Sequence, residues 1–266
     1  MYQGRSSAFE IADFAAKNGV GGVELMSFCD ELREPDMVVA KEIGRFVKQR
    51  NLAMPCFSTA ACLVFEEKEE YIKRLKKYAE ICSELEIPYL HHTVASFFGR
   101  KDSDEERDEF LKIGAESTVK VNEYAKSLGV KTIIEDQGYL FNGVWDFKKF
   151  REYTGGVTGT LLDTGNIIFV DQTASEFGEA FRDSICHVHI KDYFYVDPND
   201  EAKAYTSMKG KRFRGCPLGE GIVDFPKVAS LLDSINYDGY FAIELEGAES
   251  PSDFIVAMEY IEKTFS

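Results

Sequence analysis

Residues 159–192 read GTLLDTGNIIFVDQTASEFGEAFRDSICHVHIKD, and this stretch decides the fold. An apolar run ending on polar residues, Gly159–Asn166, precedes a stretch of helical period, Ser175–Arg182, and a second apolar run, Ile185–Asp192. Strand, helix and strand within roughly 30 residues make a βα unit, whose parallel strands are buried on both faces and therefore read as continuous apolar runs.

The alternation recurs outward in both directions. Further strand candidates are Gly22–Met26, Leu52–Thr59, Tyr89–Ser96, Lys131–Gly138 and Tyr240–Gly247, each bounded by Gly, Pro, Asn or Asp. Between them, Glu66–Leu85 puts Tyr71, Leu75, Tyr78, Ala79, Cys82 and Leu85 on one stripe, and Asp104–Leu128 does so with Phe110, Ile113, Val121 and Tyr124. Shorter helices fit Phe9–Lys17, Asp36–Gln49, Asp146–Tyr153, Pro226–Ser234 and Ser252–Thr264, with Pro226 in a first turn and Ser252 as an N-cap.

Such alternation predicts an α/β protein, a (β/α)8 TIM barrel in a single domain over residues 1–266. An open doubly wound sheet is the competitor, but it carries a glycine-rich loop after its first strand. In GVGGVELM the glycines precede the strand and read as a helix C-cap. The count of strands falls one short, so the first strand is short or missing. Either Met1–Gly4 is its remnant or the native start lies upstream.

Composition narrows the functions. Of 266 residues, 46 are acidic and 31 basic, for a net charge of −15, which repels phosphate backbones and argues against nucleic-acid binding. With 44% hydrophobic and 13% aromatic residues, the chain can bury a large core, which excludes disorder as its main state. No apolar run reaches the roughly 18–20 residues that span a bilayer, so no membrane partner is expected. The N-terminus lacks a basic region followed by an apolar one, which makes the cytoplasm the expected compartment. The six cysteines form no Cys-x-x-Cys pair and read as buried reduced thiols.

Chemistry is expected where barrels keep it, at the C-terminal ends of the strands. Glu135 follows Thr132, Ile133 and Ile134; Asp163 follows Leu161 and Leu162; Glu244 follows Phe241, Ala242 and Ile243; His189 closes His187-Val188-His189. A buried carboxylate is costly unless it is paired or holds a cation. Each acid alone could cap a helix or sit in a rim salt bridge. Three together with an imidazole, and no arginine beside them in sequence, point to one divalent ion: Mn²⁺, Mg²⁺, Co²⁺, Fe²⁺ or Zn²⁺. Glu246 is the alternative ligand if the register is displaced by two residues.

On these residues the sequence resembles the xylose-isomerase-like TIM barrels of sugar isomerases, epimerases and related lyases. The resemblance is carried by IIED (Glu135), LLDTGN (Asp163), HVHIKD (His189), YDGYFAIELEG (Glu244) and GCPLGEGIVDF, and covers nearly the whole chain. It implies that Glu135, Asp163, His189 and Glu244 hold one metal. It also implies that Glu135 and Glu244 act as an acid/base pair on opposite faces of a sugar or keto-polyol, through an enediolate that the metal stabilises. A homodimer paired through the active face is common in such barrels, and nothing in the sequence decides it.

The family's epimerases carry a substrate-binding histidine three residues after the aspartate, where this chain has Asn166. Arg214 matches the family's substrate arginine, and Lys191 matches a lysine that reaches substrate in its lyases. His187 shares a strand face with His189 and is expected to orient it or a glutamate, to bind substrate together with Asn166, or to pack in the core. His91 and His92 face opposite ways, so packing is expected for them. The segment Tyr193–Arg214 is an insertion, expected to be a mobile lid over the barrel mouth or an interface. Its Lys209, Lys211, Arg212 and Arg214 form a basic cluster, read as a solvated turn or as contacts to an anionic substrate group. Trp145, Tyr193, Phe194 and Tyr195 are read as packing or as an apolar wall for a sugar. The expected function is a metal-dependent isomerase or epimerase, with a dehydratase of inosose or dehydroshikimate type as the alternative. A repair endonuclease is disfavoured by only four histidines and the acidic charge.

Overall fold

The computed structural model describes residues 6–95, 103–197, 199–247 and 250–265. Met1–Gly4, the expected strand remnant, and Ser96, the end of a strand candidate, lie outside the described residues. Among the described residues the chain forms eight α-helices and ten strands, arranged in two compact units.

The first unit contains α1 (Ala8–Lys17), β1 (Leu25–Met26), α2 (Met37–Lys48), β2 (Cys56–Thr59), α3 (Lys68–Leu85), β3 (Tyr89–His92), α4 (Asp104–Ser127) and most of β4 (Lys131–Glu135). Its strands pair in parallel, in the order β1-β2-β3-β4. Local signals start the helices: a Ser7/Glu10 capping box opens α1, and the Asp36 carboxylate accepts from the Val38 and Val39 amides at the head of α2. Ile43, Val47, Phe57, Tyr78 and Leu90 meet in one apolar core between strands and helices.

Two expectations are corrected here. β1 is confined to Leu25–Met26 with a bridge from Gly22 to Ala53, because the glycines before it leave little side chain to pack. The buried face of α4 is made of Leu111, Gly114, Ala115, Ser117, Thr118, Val121, Asn122 and Ala125, with Phe110, Ile113 and Tyr124 at its margin. Small residues let this helix approach closely, a packing choice that an apolar-period reading overlooks.

The second unit holds Glu135 and then β5 (Gly159–Asp163), α6 (Ala174–Phe181), β6 (Ile185–Ile190), α7 (Phe225–Ser234), β10 (Phe241–Ile243) and α8 (Pro251–Thr264), with α5 (Val144–Tyr153) beginning in it. β6 takes β5 on one side and β10 on the other, both parallel. The N-cap of α8 is Ser250 rather than Ser252: its hydroxyl accepts from the Asp253 amide, and Pro251 occupies the first turn where a missing N–H costs nothing.

The insertion is built as a sheet. β7 (Asp192–Tyr195), β8 (Tyr205–Thr206) and β9 (Arg212–Cys216) run antiparallel in the order β7-β9-β8. Tyr193, Phe213 and Ile168 are buried together with Phe169 against them. Asp192 ties the following loop down: its carboxylate accepts from the amides of Tyr193 (2.9 Å), Gly219 (3.0 Å), Gly221 (2.9 Å) and Val223 (3.1 Å). Among the described residues no helix is long and apolar enough to cross a membrane.

Candidate metal centre

Register assembles the site. β5 and β6 pair with Asp163 opposite His189, while β6 and β10 pair with Ala242 opposite His189. The Glu244 amide then donates to Ile190 O at 3.0 Å, which sets Glu244 beside the end of β6. As a result one donor atom each from Glu135, Asp163, His189 and Glu244 lies within 4.8 Å of all the others. His189 Nδ1 is 3.0 Å from Glu244 Oε1 and 4.0 Å from both Glu135 Oε1 and Asp163 Oδ2. Glu246 stays outside this group.

The ligand oxygens are aimed by local hydrogen bonds. Asp163 Oδ1 accepts from the Gly165 and Asn166 amides, both at 2.8 Å, which turns Oδ2 toward the cluster. The Asp163 amide in turn donates to Asp136 Oδ1 at 2.9 Å. Asp136 is fully buried, and that burial, together with the nearby Asp163 charge, raises its carboxyl well above the usual range. Sequence reading passed over Asp136 because nothing in IIED distinguishes it from a helix-capping acid.

Lys191 brings a cation among these carboxylates. Its Nζ lies 2.9 Å from Asp163 Oδ2, contacts Glu244 Oε2, and donates to Asn166 Oδ1 at 3.3 Å. Burial works against its charge, yet Asp163 and Glu244 outweigh that and hold it protonated. Asn166 also donates through Nδ2 to Glu135 Oε1, so the residue standing in the histidine's place belongs to the cluster's hydrogen-bond network. Burial raises Glu135 and Asp163, whereas for Glu244 the charges of Lys191 and His189 overcome burial and lower it.

With all three carboxylates ionised the group would carry two negative charges beyond the Lys191 ammonium, a state that the burial of Glu135 and Asp163 disfavours. A divalent cation would balance that excess, and three oxygens with one imidazole suit a hard or borderline ion. The residues present fit the group that the sequence implies.

The remaining candidates divide. His187 is buried with its ring 5.4 Å from that of His189, nearly perpendicular to it. Arg214 is engaged inside the insertion, paired with Asp200 and 5.6 Å above the Phe194 ring. In the first unit, His91 Nδ1 lies 2.8 Å from Ser58 Oγ, and His92 is fully buried with Nδ1 3.1 Å from Thr93 O. Trp145 is exposed and carries Lys149 on its ring at 4.6 Å.

Residues 12–264 match the model of the xylose isomerase-like TIM barrel family. The chain belongs to that family. Its fold is accordingly that of the xylose isomerase-like TIM barrels, with seven parallel strands and eight helices among the described residues, as the alternation of elements predicts. A solved member, a xylose isomerase domain protein from Planctomyces limnophilus, superposes with a TM-score of 0.78 at 15% identity, over 95% of this chain and 91% of that one. At that identity the likeness shows the fold alone. The inosose dehydratase of Clostridium perfringens is 27% identical over 167 residues, 59% of this chain and 56% of that protein, so this match spans little more than half of the relative. A Haemophilus influenzae protein, assigned provisionally as the L-ribulose-5-phosphate 3-epimerase SgbU, is 26% identical over 206 residues, 74% of this chain and 68% of that one.

Proposed function

We propose that this family member is a divalent-metal-dependent enzyme that moves a proton at the carbon beside a carbonyl, isomerising or epimerising a sugar or keto-polyol. The observation that supports it is the cluster of Glu135, Asp163, His189 and Glu244, which gathers two glutamates and a metal's worth of donors at one place. When bound, a divalent ion would polarise the substrate carbonyl and lower the barrier to removing the adjacent proton. Asp163 and His189 would serve as ligands only. Glu135 and Glu244 would hold the metal and, from either side of the substrate, take up and return the proton. Lys191, whose ammonium pairs with Asp163 and Glu244 at the edge of the same group, would meet a substrate oxygen.

A dehydratase outcome is the second reading, and a specific contact favours it. Asn166, in the place of the epimerases' histidine, donates to Glu135 Oε1, so the site departs from the epimerase pattern at this residue. The inosose dehydratase relative points the same way. The two share their first proton transfer and differ in whether a hydroxyl then leaves. Incubating the manganese-loaded protein with 2-keto-myo-inositol and a panel of ketoses separates them. A changed sugar profile supports isomerisation, growth of enone absorbance supports dehydration, and metal-independent turnover of either kind contradicts both.

A further inference from the structure

The turn that follows β5, Asp163-Thr164-Gly165-Asn166, fastens itself to Lys191 just beyond β6. Thr164 Oγ1 donates to Lys191 O at 2.7 Å and takes a hydrogen bond from the Lys191 amide at 2.9 Å, so the lysine is clasped by its backbone. Gly165 leaves room for the rest of it: a Cβ there would collide with the Lys191 stem and the Tyr193 ring, which lie over the turn. The ammonium is thereby led back to Asp163 and Asn166. Asn166 is buried, and its backbone is held on both sides. Its amide donates to Asp163 Oδ1 and its carbonyl accepts from Asn142 Nδ2, both at 2.8 Å.

From this fixed backbone the Asn166 side chain reaches in two directions. Nδ2 donates to Glu135 Oε1, and Oδ1 accepts from Lys191 Nζ at 3.3 Å. A primary amide carries a donor at one end and an acceptor at the other, and it neither gains nor loses a proton. It therefore complements a carboxylate and an ammonium at once. Both ends of the side chain are engaged within the chain, one on a candidate metal ligand and the other on the lysine that pairs with Asp163 and Glu244.

We propose that Asn166 is a positioning residue, which locks Glu135 and Lys191 into one register with the Asp163 turn and acts through them rather than by touching substrate. Its effect on rate rests on the function proposed above. A hydrogen bond that aims a ligand is worth about 10- to 100-fold in metal affinity, and a reacting group misplaced by about 1 Å costs on the order of 10²-fold in rate.

Two variants separate this role from a substrate contact. Asn166→Ala removes both side-chain bonds, while the isosteric Asn166→Asp keeps an acceptor for Lys191 and loses the donor to Glu135. Both leave the backbone bonds to Asp163 and Asn142 in place, and melting temperatures check that the fold is kept. Calorimetry on the chelator-stripped full chain should show manganese binding about 10- to 100-fold weaker in Asn166→Ala. At saturating manganese, solvent deuterium is followed into 2-keto-myo-inositol and D-fructose. Both variants should lose about 10- to 100-fold in kcat, with KM within about 3-fold of the wild type. Unchanged manganese affinity in Asn166→Ala, unchanged kcat in both variants, or a KM raised about 10-fold or more with kcat kept overturns this inference. The last of these makes Asn166 a substrate contact and leaves metal-dependent proton transfer standing. Absence of label in both probes with the wild type overturns the proposed function instead, and the manganese affinities still decide whether Asn166 holds Glu135.

Discussion

Lys191 Nζ lies 2.9 Å from Asp163 Oδ2, so an ammonium stands beside two of the four candidate metal ligands. A divalent ion at the same oxygens would feel its repulsion. Lys191→Met keeps the apolar stem and removes the charge. Manganese affinity of the chelator-stripped protein, measured by calorimetry, should rise about 10-fold or more. Unchanged or weaker binding would show that Lys191 does not compete with the metal.

In the function proposed, Asp163 is a ligand without a proton-transfer role, and its Oδ1 already accepts from the Gly165 and Asn166 amides. Asp163→Asn should therefore lower manganese affinity by about 10- to 100-fold or more, and excess manganese should restore part of the activity. If saturating metal restores none, Asp163 does more than hold it.

Asp192 is a structural acid in a functional motif. Asp192→Ala leaves the Gly219, Gly221 and Val223 amides without their acceptor. The loss should destabilise the protein by about 2–4 kcal/mol in urea unfolding. A change below about 0.5 kcal/mol would mean that water replaces the carboxylate at little cost.

Burial pulls His92 down from its ordinary 6.5 to about 4. As pH falls, the unfolded chain takes up this proton first, so the stability that neutral His92 confers is intact above pH 6.5 and is lost progressively toward pH 4. Between about pH 7 and pH 5 the wild type should lose roughly 2 kcal/mol more than His92→Gln. Parallel pH profiles for the two proteins would contradict a buried, neutral His92.

The barrel and its four strand-end donors were legible because both follow from local rules. Apolar strands alternate with amphipathic helices, and a polar residue that closes an apolar run falls at a strand end. Lys191 was legible as a substrate contact and not as a partner of Asp163, because only the paired strands bring its ammonium to that carboxylate. The β7-β9-β8 sheet escaped for a related reason. Its sequence, interrupted by Asp, Lys, Pro and Gly, reads as loop, and its strands are stabilised by Phe213, Tyr193 and Phe169 meeting across long separations.

Deuterium wash-in from solvent tests the metal-assisted proton transfer most directly. Chelator-stripped protein, with and without added manganese, is incubated with 2-keto-myo-inositol or D-fructose in heavy water, and label at the carbon beside the carbonyl is followed by mass spectrometry. Label should enter only with manganese present, and at saturating metal Glu244→Gln should slow it by about 10²–10⁴. Equal exchange without metal, or an unchanged rate in Glu244→Gln, would contradict the assignment of this cluster as the reacting centre.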